Sequence, residues 1–244
     1  MIRGDGFAVV APGEGTTVAL PSGGGSIRVT IDDGVGCRNL VQRLMEIRDP
    51  GRTERGAPGS EEIGYVASGT GRLVAGDHTL ALEGGTGFLV PPGTPFRLLP
   101  DGEPMIVVSV LSPPPGAVDS VSVGEAARCV AVRAAQQGRL PAGESRYFKL
   151  LVDPSVGSRR VTQFVGFIEQ SRAPEHVHPY EEVVHVLEGE GTLHAAGERI
   201  PFARGAGIFL APGTPHCLEN GTRGTLQLLG VFSPAGSPAD KGEQ

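Results

Sequence analysis

The chain has 244 residues, 39% of them hydrophobic, enough to bury one large core or two ordinary ones. Its formal net charge is −6 and its 21 lysines and arginines are scattered, which argues against nucleic acid or an anionic membrane as the main partner and leaves a small-molecule substrate. The 38 glycines and 21 prolines, set among short apolar runs, point away from helices and toward many strands joined by tight turns.

The opening segment MIRGDGFAVVAPGEG lacks a basic region followed by a long apolar run, and no stretch reaches bilayer-spanning length, so a soluble, cytoplasmic protein is expected. Alternating runs then follow in order: SIRVTI at 26–31, EEIGYVASGTGRL at 61–73 and GFLVPPGTPF at 87–96, with His78 in the turn-like AGDHTL. The proline-rich SPPPGAVDS at 112–120 reads as a linker. Beyond it, GEAARCVAVRAAQQ at 124–137 is the one helix candidate and is equally readable as a strand. VTQFVGFI at 161–168, EEVVHVLE at 181–188, GIFLAPG at 207–213 and TLQLLGVF at 225–232 complete the strand series. Cys37, Cys129 and Cys217 are too few and too widely spaced for a disulfide framework or a cysteine zinc site, and are expected to be reduced thiols.

A shift of 120 residues brings Glu62 onto Glu182, Gly69 onto Gly189 and Gly93 onto Gly213, and upstream a shift of 121 brings DDGVGCR onto DPSVGSR. Such a long alignment with a one-residue slip is the mark of tandem duplication. It predicts an all-β chain of two domains, residues 1–120 and 121–240, with a short polar tail at 241–244. A short-strand unit of this size removes its open edges by closing, which makes a jelly-roll β-barrel the expected form of each half.

The two halves differ in histidine. His176 and His178 are one residue apart, so on an extended segment both side chains leave the same face. Glu182 follows a turn at Pro179 and Tyr180, and His216 follows the turn PGTP far downstream. Three imidazoles and a carboxylate suit one borderline divalent ion such as Fe, Mn, Ni, Co or Zn, and four protein ligands leave open positions on a six-coordinate metal.

These residues resemble the two motifs of the cupin superfamily. His176, His178, Glu182 and Gly189 stand at the matching steps of the first motif, with Gln170 in place of its leading glycine. Gly205, Gly213, His216 and Asn220 match the second, with Ala211 in place of its proline and Pro212 beside it. The resemblance covers both halves and implies a bicupin, two packed barrels with the metal inside the second. In the first half Gly56, Pro58 and Phe96 stand where the histidines would be, so its site is lost while its scaffold, including Glu62, is kept; a structural role is expected for it.

The other candidates rank lower. Tyr180 and Glu181 are placed at the cavity mouth, and Gln227, aligned with Val107, is the candidate for touching a ligand. Gln163 repeats Gln42 of the metal-less half and reads as a structural hydrogen bond. His185 is assigned to packing or an interface; His194 and His78 are expected to face solvent; Cys217 should point away from the metal. By resemblance to quercetinase-like cupins the activity expected is that of a dioxygenase, with Glu182 as both ligand and general base. The alternatives are a metal-dependent isomerase, cyclase or lyase, or a non-catalytic ligand-binding barrel. Only Arg172, Arg199, Arg204 and Arg223 lie near the motifs, too dispersed for a phosphosugar site. A monomer or a homodimer is expected, since two linked barrels already satisfy the pairing of single cupins.

Overall fold

A computed structural model describes residues 1–20, 24–48, 52–55, 58–116 and 128–238, and for 52–55 the backbone alone. Among these residues the ordered elements are strands and three short 3₁₀ turns, with no α-helix. No helix is long and apolar enough to cross a membrane.

The strands build two tandem jelly-roll barrels, each a large sheet facing a small one. In the first, the large sheet runs in spatial order Thr16–Ala19, Gly25–Ile31, Val41–Ile47, Met105–Ser112, Glu61–Ser68, Thr86–Val90 and Val130–Arg133. Its small sheet holds Arg52–Arg55, Pro95–Pro100, Thr70–Ala75 and His78–Glu83. In the second, the large sheet runs Leu140–Pro141, Arg146–Val152, Thr162–Ile168, Leu226–Ser233, Glu181–Glu188, Gly207–Leu210, Phe7–Val10 and Ile2–Gly4. Its small sheet is Glu198–Ala203, Glu190–Ala195 and His216–Asn220.

The boundary expected at residue 120 is therefore crossed in both directions. Phe7–Val10 pairs antiparallel with Gly207–Leu210, Val9 opposite Ile208, so the N-terminal strands belong to the second barrel's sheet. Val130–Arg133 pairs with Thr86–Val90, Ala131 opposite Phe88, and completes the first. The exchange covers an exposed edge on each sheet. It also decides the helix candidate: its described part is this strand and a 3₁₀ turn at Ala134–Gln136, because Val130 and Val132 gain a sheet partner that outweighs the helical propensity of the alanines. Residues 124–127 of that candidate, 117–120 of the linker and the tail 241–244 lie outside the described residues.

Three apolar clusters hold the fold. One fills the first barrel around Met45, Phe88, Phe96 and Met105; another fills the second around Val184, Leu193, Ile208 and Leu228. The third lies between the barrels, where Ile63, Leu89, Val108 and Val110 of one large sheet meet Val165, Val183, Leu229 and Val231 of the other. Each fully buried aliphatic side chain contributes roughly 1.5 to 3 kcal/mol. The repeated DDGVGCR and DPSVGSR segments form matching 3₁₀ turns: Asp32 accepts from Gly34 N at 3.0 Å and Asp153 from Ser155 N at 2.9 Å. Each turn ends on a left-handed glycine, Gly36 at φ 94° and Gly157 at φ 104°.

Candidate metal centre

His176 and His178 lie on an extended segment outside the regular strands, since Pro174 and Pro179 remove backbone donors on either side. The segment is fastened to the small sheet by a reciprocal pair of backbone hydrogen bonds between His176 and His216, both 3.0 Å, and by Gly213 N donating to His178 O at 2.9 Å. Glu182 is the second residue of strand Glu181–Glu188 and His216 the first of His216–Asn220. His176, His178 and Glu182 and the distant His216 thus reach the same end of one barrel.

Each imidazole is oriented by a backbone carbonyl. His176 Nδ1 is 3.1 Å from Pro174 O, His178 Nδ1 3.0 Å from Tyr180 O, and His216 Nδ1 2.9 Å from Thr214 O. A carbonyl oxygen only accepts, so every Nδ1 donates, and a ring keeps a lone pair on Nε2 whenever it is neutral. This is the outer-shell arrangement that fixes tautomer and ring orientation in histidine metal sites.

The ligand atoms of His178, Glu182 and His216, all buried, lie within 4.8 Å of one another. His176 is not in that group: its ring centroid is 4.4 Å from that of His216 and 6.2 Å from that of His178, and it borders the same cavity, half-buried. His178 Nε2 donates to Glu182 Oε2 at 2.9 Å, a proton bridging two groups that would share a cation. Burial pushes the His178 pKa down, but the bond and charge of Glu182 outweigh this and raise it. Burial pushes Glu182 up, yet the His178 bond and the three histidines hold it below the usual carboxylate range. Burial lowers His176, and lowers His216 to about 4. His176 and His216 stay neutral beside an ionised carboxylate, and His178 would release its bridging proton to a cation; this is the donor set a borderline divalent ion takes, so the residues fit the metal.

Tyr180 is not an exposed turn residue. It is buried, its ring stacks on His178 at 4.2 Å and 11° and on Phe232 at 4.1 Å and 18°, and its carbonyl orients His178. It lines a cavity of about 130 Å³ with the four candidate ligands and the apolar side chains of Phe148, Phe164, Val184, Leu210 and Leu228.

Gln227 is a correction: it does not line this cavity but donates to Glu188 Oε2 at 2.9 Å on the other side of its strand. The register explains the error. Val107 pairs with Val66 and Leu228 with Val186, so Leu228 is the counterpart of Val107, and Gln227 that of Ile106. A one-residue slip in aligning a strand turns every side chain to the opposite face. Glu181 is a second correction: instead of standing at the mouth it is buried at the barrel interface, accepting from Arg38 N at 3.0 Å and Asn39 N at 2.6 Å. His194 is a third, buried and 2.6 Å from Glu219 Oε2 across neighbouring strands.

The remaining candidates stand elsewhere. Gln163 Nε2 donates to Gly64 O of the first barrel at 3.3 Å, and Gln42 Oε1 accepts from Thr30 Oγ1 at 3.0 Å. His185 is buried beside a cleft between the barrels that its repeat counterpart Tyr65 also lines. His78 is exposed, and Cys217 is buried outside the ligand group, accepting from Arg172 Nε at 3.3 Å. The three thiols are free.

The first barrel has a different solution at the equivalent place. Arg43 Nη2 lies 2.7 Å from Glu62 Oε1 and 2.8 Å from Ser109 Oγ, so a guanidinium compensates the carboxylate that both halves of the chain keep. Phe96, in the place of His216, is buried in that barrel's core, Pro58 is exposed, and Gly56 lies outside the described residues. Arg146 is a cavity-lining residue that the sequence reading passed over. Its signal was the even-numbered inward face it shares with Phe148 in RYFKLLV.

Comparison with known proteins agrees with this architecture. Residues 164–232 match the family described as "Cupin domain" and residues 43–151 that described as "AraC-like ligand binding domain". An "Uncharacterized protein" of Aquifex aeolicus (strain VF5) is 32% identical over 75 residues, 31% of this chain and 61% of its own length, so the match spans less than two thirds of that relative. Among solved structures, protein Ylba from E. coli superposes with a TM-score of 0.75 at 19% identity, covering 95% of this chain and 93% of its own. Bacillus subtilis oxalate decarboxylase OxdC gives 0.78 at 14%, covering 97% and 78%, and a further structure of it is described by its Mn(II) centres. A putative glyoxylate-induced protein from Pseudomonas aeruginosa gives 0.78 at 17%, covering 95% and 89%. At these identities the likeness is one of fold.

Proposed function

We propose that this two-barrel cupin is a mononuclear metalloenzyme that acts on a small oxygenated organic molecule, with one divalent transition-metal ion held in the second barrel by His176, His178, Glu182 and His216. The observation that carries the reading is the set of three imidazoles anchored through Nδ1 to backbone carbonyls beside buried Glu182, inside a cavity. The Mn(II) centres named for the structurally similar oxalate decarboxylase make manganese the first ion to test, ahead of Fe, Ni, Co and Zn. Once bound, such an ion supplies Lewis acidity for a substrate oxygen and, if redox-active, a site for O₂ chemistry.

The chain's own residues supply the rest. Among the described residues Glu182 is the only carboxylate lining the cavity, and we assign it the hydroxyl proton of the substrate, taken at Oε2. Tyr180 clamps the His178 ring, and the phenylalanine and leucine walls exclude water. The first barrel is structural and covers the large sheet of the second. A single carboxylate base favours the dioxygenase reading, since a proton-shuttling isomerase is better served by a second acid or base across the cavity. An isomerase, cyclase or lyase is the alternative, and a non-catalytic ligand-binding role the next, to which the AraC-like match lends support. The protein needs no partner for its site and works as a monomer or homodimer.

The test is elemental mass spectrometry on protein purified without tag or chelator, beside the His176→Ala, His216→Ala double variant, followed by oxygen uptake. About one equivalent of metal in the parent and none in the variant is expected. No metal in the parent, even after reconstitution with each ion, overturns the reading. Turnover of a substrate without oxygen uptake replaces the dioxygenase by the isomerase or lyase.

A further inference from the structure

We infer that Arg146 is the anion anchor of this cavity and that the substrate is a small carboxylate, held between the guanidinium and the metal ligands; this deepens the metalloenzyme reading and rests on it. Arg146 opens strand Arg146–Val152 and pairs with Ile168, while Phe148 pairs with Gly166. On the large sheet the residues at 146, 148, 164, 166, 168, 182, 184, 228 and 230 all line the cavity, which makes the even-numbered face of these strands the inward one. Arg146 is thus part of the barrel's inner wall, with the stacked pair Tyr147 and Phe167 at its rim.

Among the described residues its guanidinium forms no hydrogen bond or ion pair with a carboxylate. Arg43, the inward arginine of the other barrel, is compensated by Glu62. A half-buried guanidinium against apolar walls loses hydration that only an acceptor restores. Glu182, the single carboxylate of the lining among the described residues, is engaged with His178. The repeat sharpens the point. Gly25 pairs with Ile47 as Arg146 pairs with Ile168, so the counterpart of Arg146 in the metal-less barrel is a glycine. At this strand position the barrel with the histidines has an arginine and the other barrel a glycine.

Charge and size then define the ligand. A divalent ion, one ionised carboxylate, neutral imidazoles and Arg146 leave the cavity net positive, which favours an anion. The planar guanidinium fork matches carboxylate geometry. A cavity of about 130 Å³ is well below the roughly 300 to 1,000 Å³ that accommodates drug-sized ligands, which selects a molecule of a few carbons and disfavours a flavonol.

The experiment loads parent, Arg146→Gln and Arg146→Lys proteins with Mn(II), measures metal affinity by titration, and then titrates glycolate, pyruvate, malonate and neutral pyruvamide. Binding is read from water-proton relaxation and the electron paramagnetic resonance of the ion. At least one of the carboxylates is expected to bind the parent and to weaken by about tenfold or more in Arg146→Gln, with a smaller loss in Arg146→Lys. Manganese affinity and pyruvamide binding stay as in the parent. Carboxylate binding unchanged in both variants, or no carboxylate binding to manganese-loaded parent, overturns this inference alone. Failure of the parent to take up manganese or any other ion overturns the metal reading itself.

Discussion

Glu61 and Glu181 occupy the same place in the two repeats, and each buries its carboxylate in the opposite barrel. Glu61 accepts from Ser158 Oγ at 2.9 Å and Arg159 N at 2.7 Å, while Glu181 accepts from Arg38 N at 3.0 Å and Asn39 N at 2.6 Å. The matching 3₁₀ turns present these donors, so the contact is reciprocal about a local twofold. Glu61→Ala and Glu181→Ala are each expected to cost about 3 kcal/mol in denaturant unfolding, because buried N–H groups lose a charged acceptor. A large difference between the two would show that the barrels are not held symmetrically.

Arg43 and Glu62 lend themselves to a cycle. Glu62→Gln leaves the mostly buried guanidinium uncompensated and is expected to cost about 3 to 5 kcal/mol. The double change Arg43→Met, Glu62→Leu removes both charges and should return near parental stability. Thermal melting reads both, and the metal content of the second barrel should not change in either.

His185 sets a pH dependence outside the ligand set. Burial lowers its pKa to about 4, against about 6.5 in an unfolded chain. The unfolded state therefore binds the extra proton between these values, and stability rises with pH there. The contribution is complete above about 6.5 and is lost as pH falls toward 4, on the order of 3 kcal/mol in all. Glu188, Arg204 and Tyr65 share its cleft. His216, also lowered to about 4, adds slope in the same window of metal-free protein, so His185→Leu should reduce the slope there by about half; a profile as steep as the parent's would assign the slope to other groups.

Tyr180 ties the cavity floor to a ligand through its stack on His178. Tyr180→Ala is expected to weaken metal affinity about tenfold, as loss of a residue that orients a ligand does, and Tyr180→Phe much less. Competition with a chromophoric chelator measures both. Equal losses in the two variants would place the effect in the hydroxyl and not in the stack.

The repeat, the strand class and the candidate ligands were legible in the sequence because each rests on local spacing: glycines and prolines at turns, alternation along strands, and histidines one residue apart. The ligand set shows both the reach and the limit of such reading. His178, Glu182 and His216 come together, whereas His176, chosen by the same spacing, stands at the edge of the group. Gln227 failed because a slip of one residue between two shifts is invisible until strands are paired, and it reverses the face.

Local pattern by itself determined two barrels and one set of candidate metal ligands. Tertiary structure alone decided the exchange of Phe7–Val10 and Val130–Arg133 between sheets, the burial of Glu61 and Glu181 across the interface, and the arrival of Arg146 on the inner wall. The physical reason is that these depend on contacts between residues from about 40 to 200 positions apart, where hydrogen-bond partners and shared cavities carry no signature in the order of the chain.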